Sequence, residues 1–431
     1  MKKIIIVFGI FSMLLMVMGC AKKETASAPA ANTGTATGSN KLVVWTAVED
    51  VATMIDTYYK PSHPDVDVEY TMVPSIQDKL DPVLASGQGV PDVFSMEISY
   101  VKKYIESGLL LDITDMYNSV KDNYIQYAAD IATDKNKVYA LSWQTTPGVV
   151  YYRRSLAKKY LGVDDPDKVQ DFFSTPAKFL ETAELIKQKS NGSCFILPIY
   201  SMAESAFLNN RQQPWIVDGK LTIDPLCLQY MDLVKTIRDK GYDARIPDWS
   251  EGWYASLNGQ AKDEQGRPIE IMANFRPAWG LFYVYMPGAS QTSGDWAIIP
   301  GPYTYFEGGT WLGAWYKTQN VATAKEFIRY FTTDDTMLEN WVSHTFDMIT
   351  NIRVINKLKT SVSVPFLGGQ NPYTIYADIT PKISGRLVQG TDGAINSIFE
   401  ESVASYVNGE KTRDQALADF QDQVKTQLGL Q

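Results

Sequence analysis

Residues 86–114 read SGQGVPDVFSMEISYVKKYIESGLLLDIT. Gly87, Gly89 and Pro91 make a turn that leads into a short apolar strand at Val93 and Phe94, and the strand ends in Ser95, Met96 and Glu97. A helix comes at once: Ile98, Val101, Tyr104 and Ile105 recur at helical spacing, Gly108 is placed to end it, and Leu109–Leu111 run back into apolar core. In open α/β sheets small ligands bind just past the carboxyl ends of strands. Met96 and Glu97 therefore stand where a cleft would be lined, with Met96 the core-facing neighbour.

Upstream of this stretch the pattern alternates. Leu42–Trp45 reads as a buried strand, Val51, Ile55, Tyr58 and Tyr59 as one helical face, Val66, Val68, Tyr70 and Met72 as a half-buried strand, and Ile76, Leu80, Val83 and Leu84 as a second helix. This β-α-β-α-β order with short connections predicts parallel strands joined by right-handed crossovers. Downstream, residues 139–153 (YALSWQTTPGVVYYR) place Trp143, Gln144, two Thr and a Pro-Gly between two β-rich runs, the form expected where a chain crosses between lobes. Residues 155–245 read as mainly helical, with Phe179, Ala183 and Ile186 on one face and Tyr230, Leu233, Val234 and Ile237 on another.

Residues 249–315 hold the densest aromatic clustering, with Trp249, Trp253, Phe275, Trp279, Trp296, Trp311 and Trp315, and the Gly and Pro beside them predict loops. Two amphipathic helices come after it, TAKEFIRYFTTDD with Phe327, Ile328 and Phe331 inward, and Thr412–Leu428 carried by Leu417, Phe420 and Val424.

At 431 residues and 45% hydrophobic composition the chain is too long for one ordinary domain, which points to two lobes. Forty basic against 49 acidic residues, a formal charge of −9 and no long basic run argue against nucleic acid. Lys2 and Lys3 followed by an apolar run from Ile4 to Gly19 read as an export signal, since the run falls short of the roughly 20 residues a membrane span needs. The ending Val17-Met18-Gly19-Cys20 resembles the lipobox of bacterial lipoproteins, which implies lipidation of Cys20; Met18 stands where Ala or Ser is usual. Residues 21–40 are small and polar, as a tether between an anchor and a folded body should be. Cys194 and Cys227 remain; export permits a disulfide between them, and two buried free thiols are an equal alternative. The only histidines, His63 and His344, have no ligand set of metal spacing around them, so no metal and no cofactor are expected.

Trp and Tyr beside polar side chains are what a sugar site needs. A pyranose offers a C–H face to an aromatic ring, and its hydroxyls require donors and acceptors. Glu49, Glu97, Gln144, Asn274, Arg276 and Asp295 lie beside aromatics, and Trp143, Trp279 and Trp311 fall at expected strand ends or crossings. For any single Trp, core packing is the plainer reading. Catalysis has less support: there is no GxSxG elbow, Walker loop or HExxH run, and no carboxylate pair stands in a motif.

The lipobox, the Tyr58-Tyr59 helix end, QDKLDPVLASGQGVPDVFSM, IESGLLLDIT, the YALSW crossing followed by Val150-Tyr151-Tyr152, and TAKEFIRYFTTDD together resemble the extracellular sugar-binding proteins of bacterial ABC importers, the maltose-binding-protein-like group. The resemblance implies a type II flytrap fold of two discontinuous α/β lobes joined by hinge strands: signal 1–20, tether 21–40, lobe 1 at 41–142 plus 297–333, lobe 2 at 143–296 plus 334–431, with crossings near Trp143, Asp295 and Asp334. It implies contacts from the Trp45–Asp50 loop (Trp45 and Glu49 above all), Glu97, Trp143 and Gln144, the aromatic loop Asn274–Trp279 with Arg276, and the Gly-rich turn at Gly309 before Trp311; Trp253 joins them from the aromatic cluster. Tyr152-Arg153-Arg154 and FFSTPAKFL depart from the group's usual motifs in the second lobe. The expectation is a monomeric, lipid-anchored, extracellular or periplasmic receptor that hands a carbohydrate to a permease and has no chemistry of its own. The alternatives are a cell-surface glycoside-active enzyme, or the same fold carrying a polyamine or an organic anion.

Overall fold

The computed structural model describes residues 41–430, so the signal segment, Cys20 and the tether lie outside the described residues. Eight strands position the site: β1 (Lys41–Thr46), β2 (Asp67–Met72), β3 (Val93–Glu97), β4 (Ala140–Leu141), β5 (Gly148–Arg153), β6 (Ala273–Pro277), β7 (Trp296–Ile299) and β8 (Thr310–Ala314). The first sheet has the order β2-β1-β3-β8-β4, and the second the order β6-β5-β7.

The stretch 86–114 folds as its pattern predicts. β1 runs parallel to both β2 and β3, as the β-α-β-α-β reading requires. Val93, Phe94 and Met96 are fully buried, and the helix Ile98–Glu106 packs Tyr100, Val101, Tyr104 and Ile105 inward. Val93 and Phe94 pair with Val44 and Trp45 on one side and with Ala314 and Gly313 of β8 on the other. β8 is antiparallel, a return from late in the chain that periodicity cannot reveal. The helix Val321–Thr333 then covers this sheet with Phe327, Ile328 and Phe331 fully buried.

In the second sheet β5 is central, with β6 and β7 antiparallel on either side. Trp296–Ile299 pair with Val150–Arg153, so a boundary at 296/297 cuts through β7. The return to the first sheet falls instead between Ile299 and Thr310. Asp295 is likewise not at a crossing: it anchors the Arg153 end of β5, accepting from Arg153 Nε (2.7 Å) and from Ser155 Oγ (2.6 Å).

Three segments run side by side between the two sheets. Glu307 N donates to Thr146 O (3.1 Å), Thr145 N donates to Met348 O (2.7 Å), and Thr350 N donates to Trp143 O (3.0 Å). Asp334 lies one helix before the third segment, where it caps Asp335–Thr345 by accepting from Met337 N. A further contact joins the two halves at the start of the helix Asp392–Val407. Arg211 and Gln389 tie this region to the second half through Asp392 and Ile216, while Gly393 lies so close to Ser99 that an added Cβ would sit 3.0 Å from its carbonyl oxygen.

Cys194 and Cys227 are buried free thiols, which resolves the alternative left by the sequence.

Candidate functional site

A cavity of about 240 Å³ opens between the two halves beside the first two crossing segments. From the first half come Asp50, Glu97 and Ile98; from the crossings, Gln144 and Gly308–Thr310; from the second half, Trp279 and Tyr283. Glu97 also lines a second hollow of about 360 Å³ bounded by Ala47, Pro74–Asp78, Ser99 and Tyr100. The carboxyl end of β3 thus sits between two adjoining spaces.

Local folding explains each position. Glu97 is the last residue of β3 and the N-cap of the next helix, so its backbone direction changes there and its side chain leaves the core that takes Met96. Asp50 sits in the first turn of the helix Glu49–Met54, directly after β1. Gly309, at φ +113°, occupies backbone conformation that side chains rarely adopt, and a Cβ there would lie 3.0 Å from the Trp311 ring. Trp279 is pinned by its indole N–H, which donates to Glu307 O at 3.0 Å on the crossing segment.

The second half presents an aromatic wall. Trp249, 51% exposed, stacks on Trp279 with ring centroids 6.3 Å apart and planes 11° from parallel. Behind them lies Arg276, its guanidinium 5.0, 5.3 and 5.9 Å from the rings of Trp249, Trp253 and Trp279. Arg276 is 4% exposed and is engaged by Asp248 (2.6 Å) and Glu307 (3.6 Å), so it braces the wall by cation–π and ionic contacts. Across the cavity Tyr283 Oη donates to Asp50 Oδ1 at 2.6 Å and bridges the two halves.

The electrostatics are acidic. Burial raises the Asp50 carboxyl to about 6, with the Tyr283 hydrogen bond opposing and the Glu49 charge adding. Loss of surrounding water also raises Glu97. Asp347, buried beneath the third crossing segment, is raised well above the usual carboxylate range by burial and then by Asp50.

Of the residues expected at the site, Glu97, Gln144, Trp279 and Gly309 line the cavity, and Glu49 is exposed beside Asp50. Trp45 is half-buried against the core. Four expectations are corrected. Trp143 is fully buried; Trp311 is 2% exposed and donates to Ala128 O; Trp253 is fully buried in the helix Glu251–Leu257 and donates to Asn274; and Asn274 itself is fully buried. None offers a face to a solute in this conformation: the strands that carry Asn274 and Trp311 and the helix that carries Trp253 turn them into the core, and Trp143 is buried in the bend just past β4. Arg276 is a brace behind the wall, not a lining group. Asp50, Ile98 and Tyr283 were not singled out by the sequence, and neither was Trp249 as a contact. A signal existed for Tyr283: in Leu281–Tyr285 its neighbours Leu281, Val284 and Tyr285 are buried while it is 40% exposed, so it points outward from an apolar run.

Comparison with known proteins gives a consistent picture. The chain is 23% identical over 362 residues to the arabinooligosaccharide-binding protein of Bacillus subtilis (strain 168), covering 77% of this chain and 76% of that protein. Among solved structures it is similar to an extracellular solute-binding protein of family 1 (TM-score 0.77, 18% identity, 88% of this chain and 97% of the other). It is also similar to the galacto-N-biose/lacto-N-biose I-binding protein of an ABC transporter from Bifidobacterium longum, solved in complex with lacto-N-biose (TM-score 0.68, 17% identity, 90% and 98%). These likenesses establish the two-lobed α/β fold. Residues 53–353, more than two thirds of the chain, match the model of the bacterial extracellular solute-binding proteins, and the chain belongs to that family.

Proposed function

We propose that this solute-binding protein captures an oligosaccharide and delivers it to the permease of an ABC importer, without chemistry of its own. The observation that carries this reading is one cavity lined by Trp279, on which the exposed Trp249 stacks, on one lobe and by carboxylates, Asp50 and Glu97, on the other. Rings suit the C–H faces of a sugar, and carboxylates accept from its hydroxyls. The second hollow beyond Glu97 offers room for further sugar units, which supports an oligosaccharide over a monosaccharide.

Mechanistically, a solute bridging Asp50 and Glu97 on one lobe to the Trp249–Trp279 wall on the other favours the closed state only through the contacts it gains there. The lobes we assign are 41–142 plus 300–346 and 143–299 plus 347–431, the last boundary following the third crossing segment, with the signal, lipidation of Cys20 and a tether placing a monomer at the outer face of the membrane. The curated relative and the solved neighbour with oligosaccharide- and disaccharide-binding names add weight to the carbohydrate class.

Thermal-shift screening against an oligosaccharide panel tests the reading. A ligand at 100 times its Kd stabilises by about 2.7 kcal/mol. Product analysis of the same mixtures tests the enzyme alternative, for Asp50 and Glu97 are two carboxylates in one cavity. Shortened products at enzyme-like rates overturn the receptor reading.

A further inference from the structure

The charge around the cleft is one-sided. Asp50 and Glu97 line the 240 Å³ cavity, and Asp78 and Glu97 line the adjoining hollow. Among the described residues, neither space is lined by Lys, Arg or His. The cation behind the aromatic wall, Arg276, is only 4% exposed and already engaged by Asp248 and Glu307. A solute in this cleft therefore meets carboxylates with no free guanidinium or ammonium lining it to answer an anionic group of its own.

We propose that the cleft selects its ligand by charge, admitting neutral and amine-bearing saccharides and rejecting those that carry a carboxylate. This inference rests on the carbohydrate reading of the same cavity and narrows it. The physical reason is that two like charges about 4 Å apart repel strongly once water is partly excluded, whereas an ammonium gains from the same field. The elevated Asp50 and Glu97 carboxyls are consistent with that desolvation. Neutral sugars need no compensating cation, since hydroxyls donate directly to carboxylate oxygens.

Calorimetric titration of the intact chain with matched probes tests this: arabinotriose and maltotriose as neutral sugars, the glucosamine trimer as an amine, trigalacturonate as a carboxylate, and spermidine and citrate as non-sugar ions. The expected result is binding confined to neutral or amine-bearing saccharides, with trigalacturonate weaker by about 100-fold or more at low salt. That gap should narrow in 1 M salt and in the Asp50→Asn/Glu97→Gln variant. Spermidine binding without any saccharide would remove the carbohydrate reading and leave the charge rule standing. Trigalacturonate within tenfold of the best saccharide would overturn the charge rule and leave the carbohydrate reading intact. Citrate as the best ligand, or no binding across the whole panel, would overturn both.

Discussion

Tyr283 and Asp50 meet across the cavity at 2.6 Å, the tyrosine donating and the carboxylate accepting. The bond spans the two lobes, so it exists only when they are closed. Tyr283→Phe removes the donor and leaves the ring. A hydrogen bond to a charged group contributes about 1.5–3 kcal/mol, and with Tyr283 40% exposed the lower end applies. Ligand affinity should fall roughly tenfold by calorimetry, while the unfolding midpoint moves little.

Several carboxyls sit above their ordinary range, and together they set a direction with pH. Asp50 and Asp392 are raised to about 6 and Glu204 to about 8, each first by burial. A carboxyl with a raised folded-state value holds its proton more tightly folded than unfolded, so its contribution falls as pH rises through about 4 and on to the raised value. Asp112, lowered to about 2 and hydrogen-bonded by Lys137 and Thr114 against an opposing burial effect, acts oppositely and only below about pH 4. The thermal midpoint should therefore be higher at pH 5 than at pH 8. Glu204→Gln should flatten that slope by on the order of 1–3 kcal/mol; an unchanged slope would show that Glu204 is not the source.

The aromatic wall separates affinity from stability. Trp249→Ala removes a ring that is half in solvent, so calorimetry should show affinity reduced tenfold or more with less than about 1 kcal/mol lost in urea unfolding. Trp253→Ala empties a fully buried site behind it and should cost about 3–5 kcal/mol. Equal effects of the two changes on affinity at matched stability would place the stacking face elsewhere.

Gly393 lies against the Ser99 carbonyl where the two lobes touch. Gly393→Val inserts a branched side chain into that contact and should favour the open state, seen as a larger radius of gyration in small-angle scattering and weaker ligand binding. Circular dichroism should remain that of the parent.

Burial raises both Cys194 and Cys227, the latter to about 12 with Arg211 opposing. Neither thiol should react with Ellman's reagent in the folded protein. Both should react at once in guanidinium, which reports free thiols and no disulfide.

Periodicity set the reach of the sequence. The strand and helix of residues 93–106 were legible because their apolar spacing switches cleanly from a strand to a helix. Glu97 stood out as a site candidate because strand ends in open α/β sheets line clefts. The tryptophans were harder: Trp253, Trp296 and Trp311 have Gly or Pro nearby, as loop residues do, yet one lies in a helix and two in strands. Their neighbours in space come from distant segments, and local composition carries no trace of that. Asp50 was inside a loop that the family resemblance marked, but only the opposing Tyr283, 233 positions away, gives it a role. Antiparallel β8 and the placement of β7 are likewise long-range pairings that a short window cannot register.

The three crossing segments are laced together by backbone hydrogen bonds at Thr145, Thr350 and Glu307. Three linked segments resist twisting or sliding independently, which favours one rotation of the lobes, opening and closing along a single angle. Capture then becomes a search along one coordinate. Each lobe can arrive with its half of the site already assembled, and the entropy lost on closing is that of one angle, not of two freely tethered bodies.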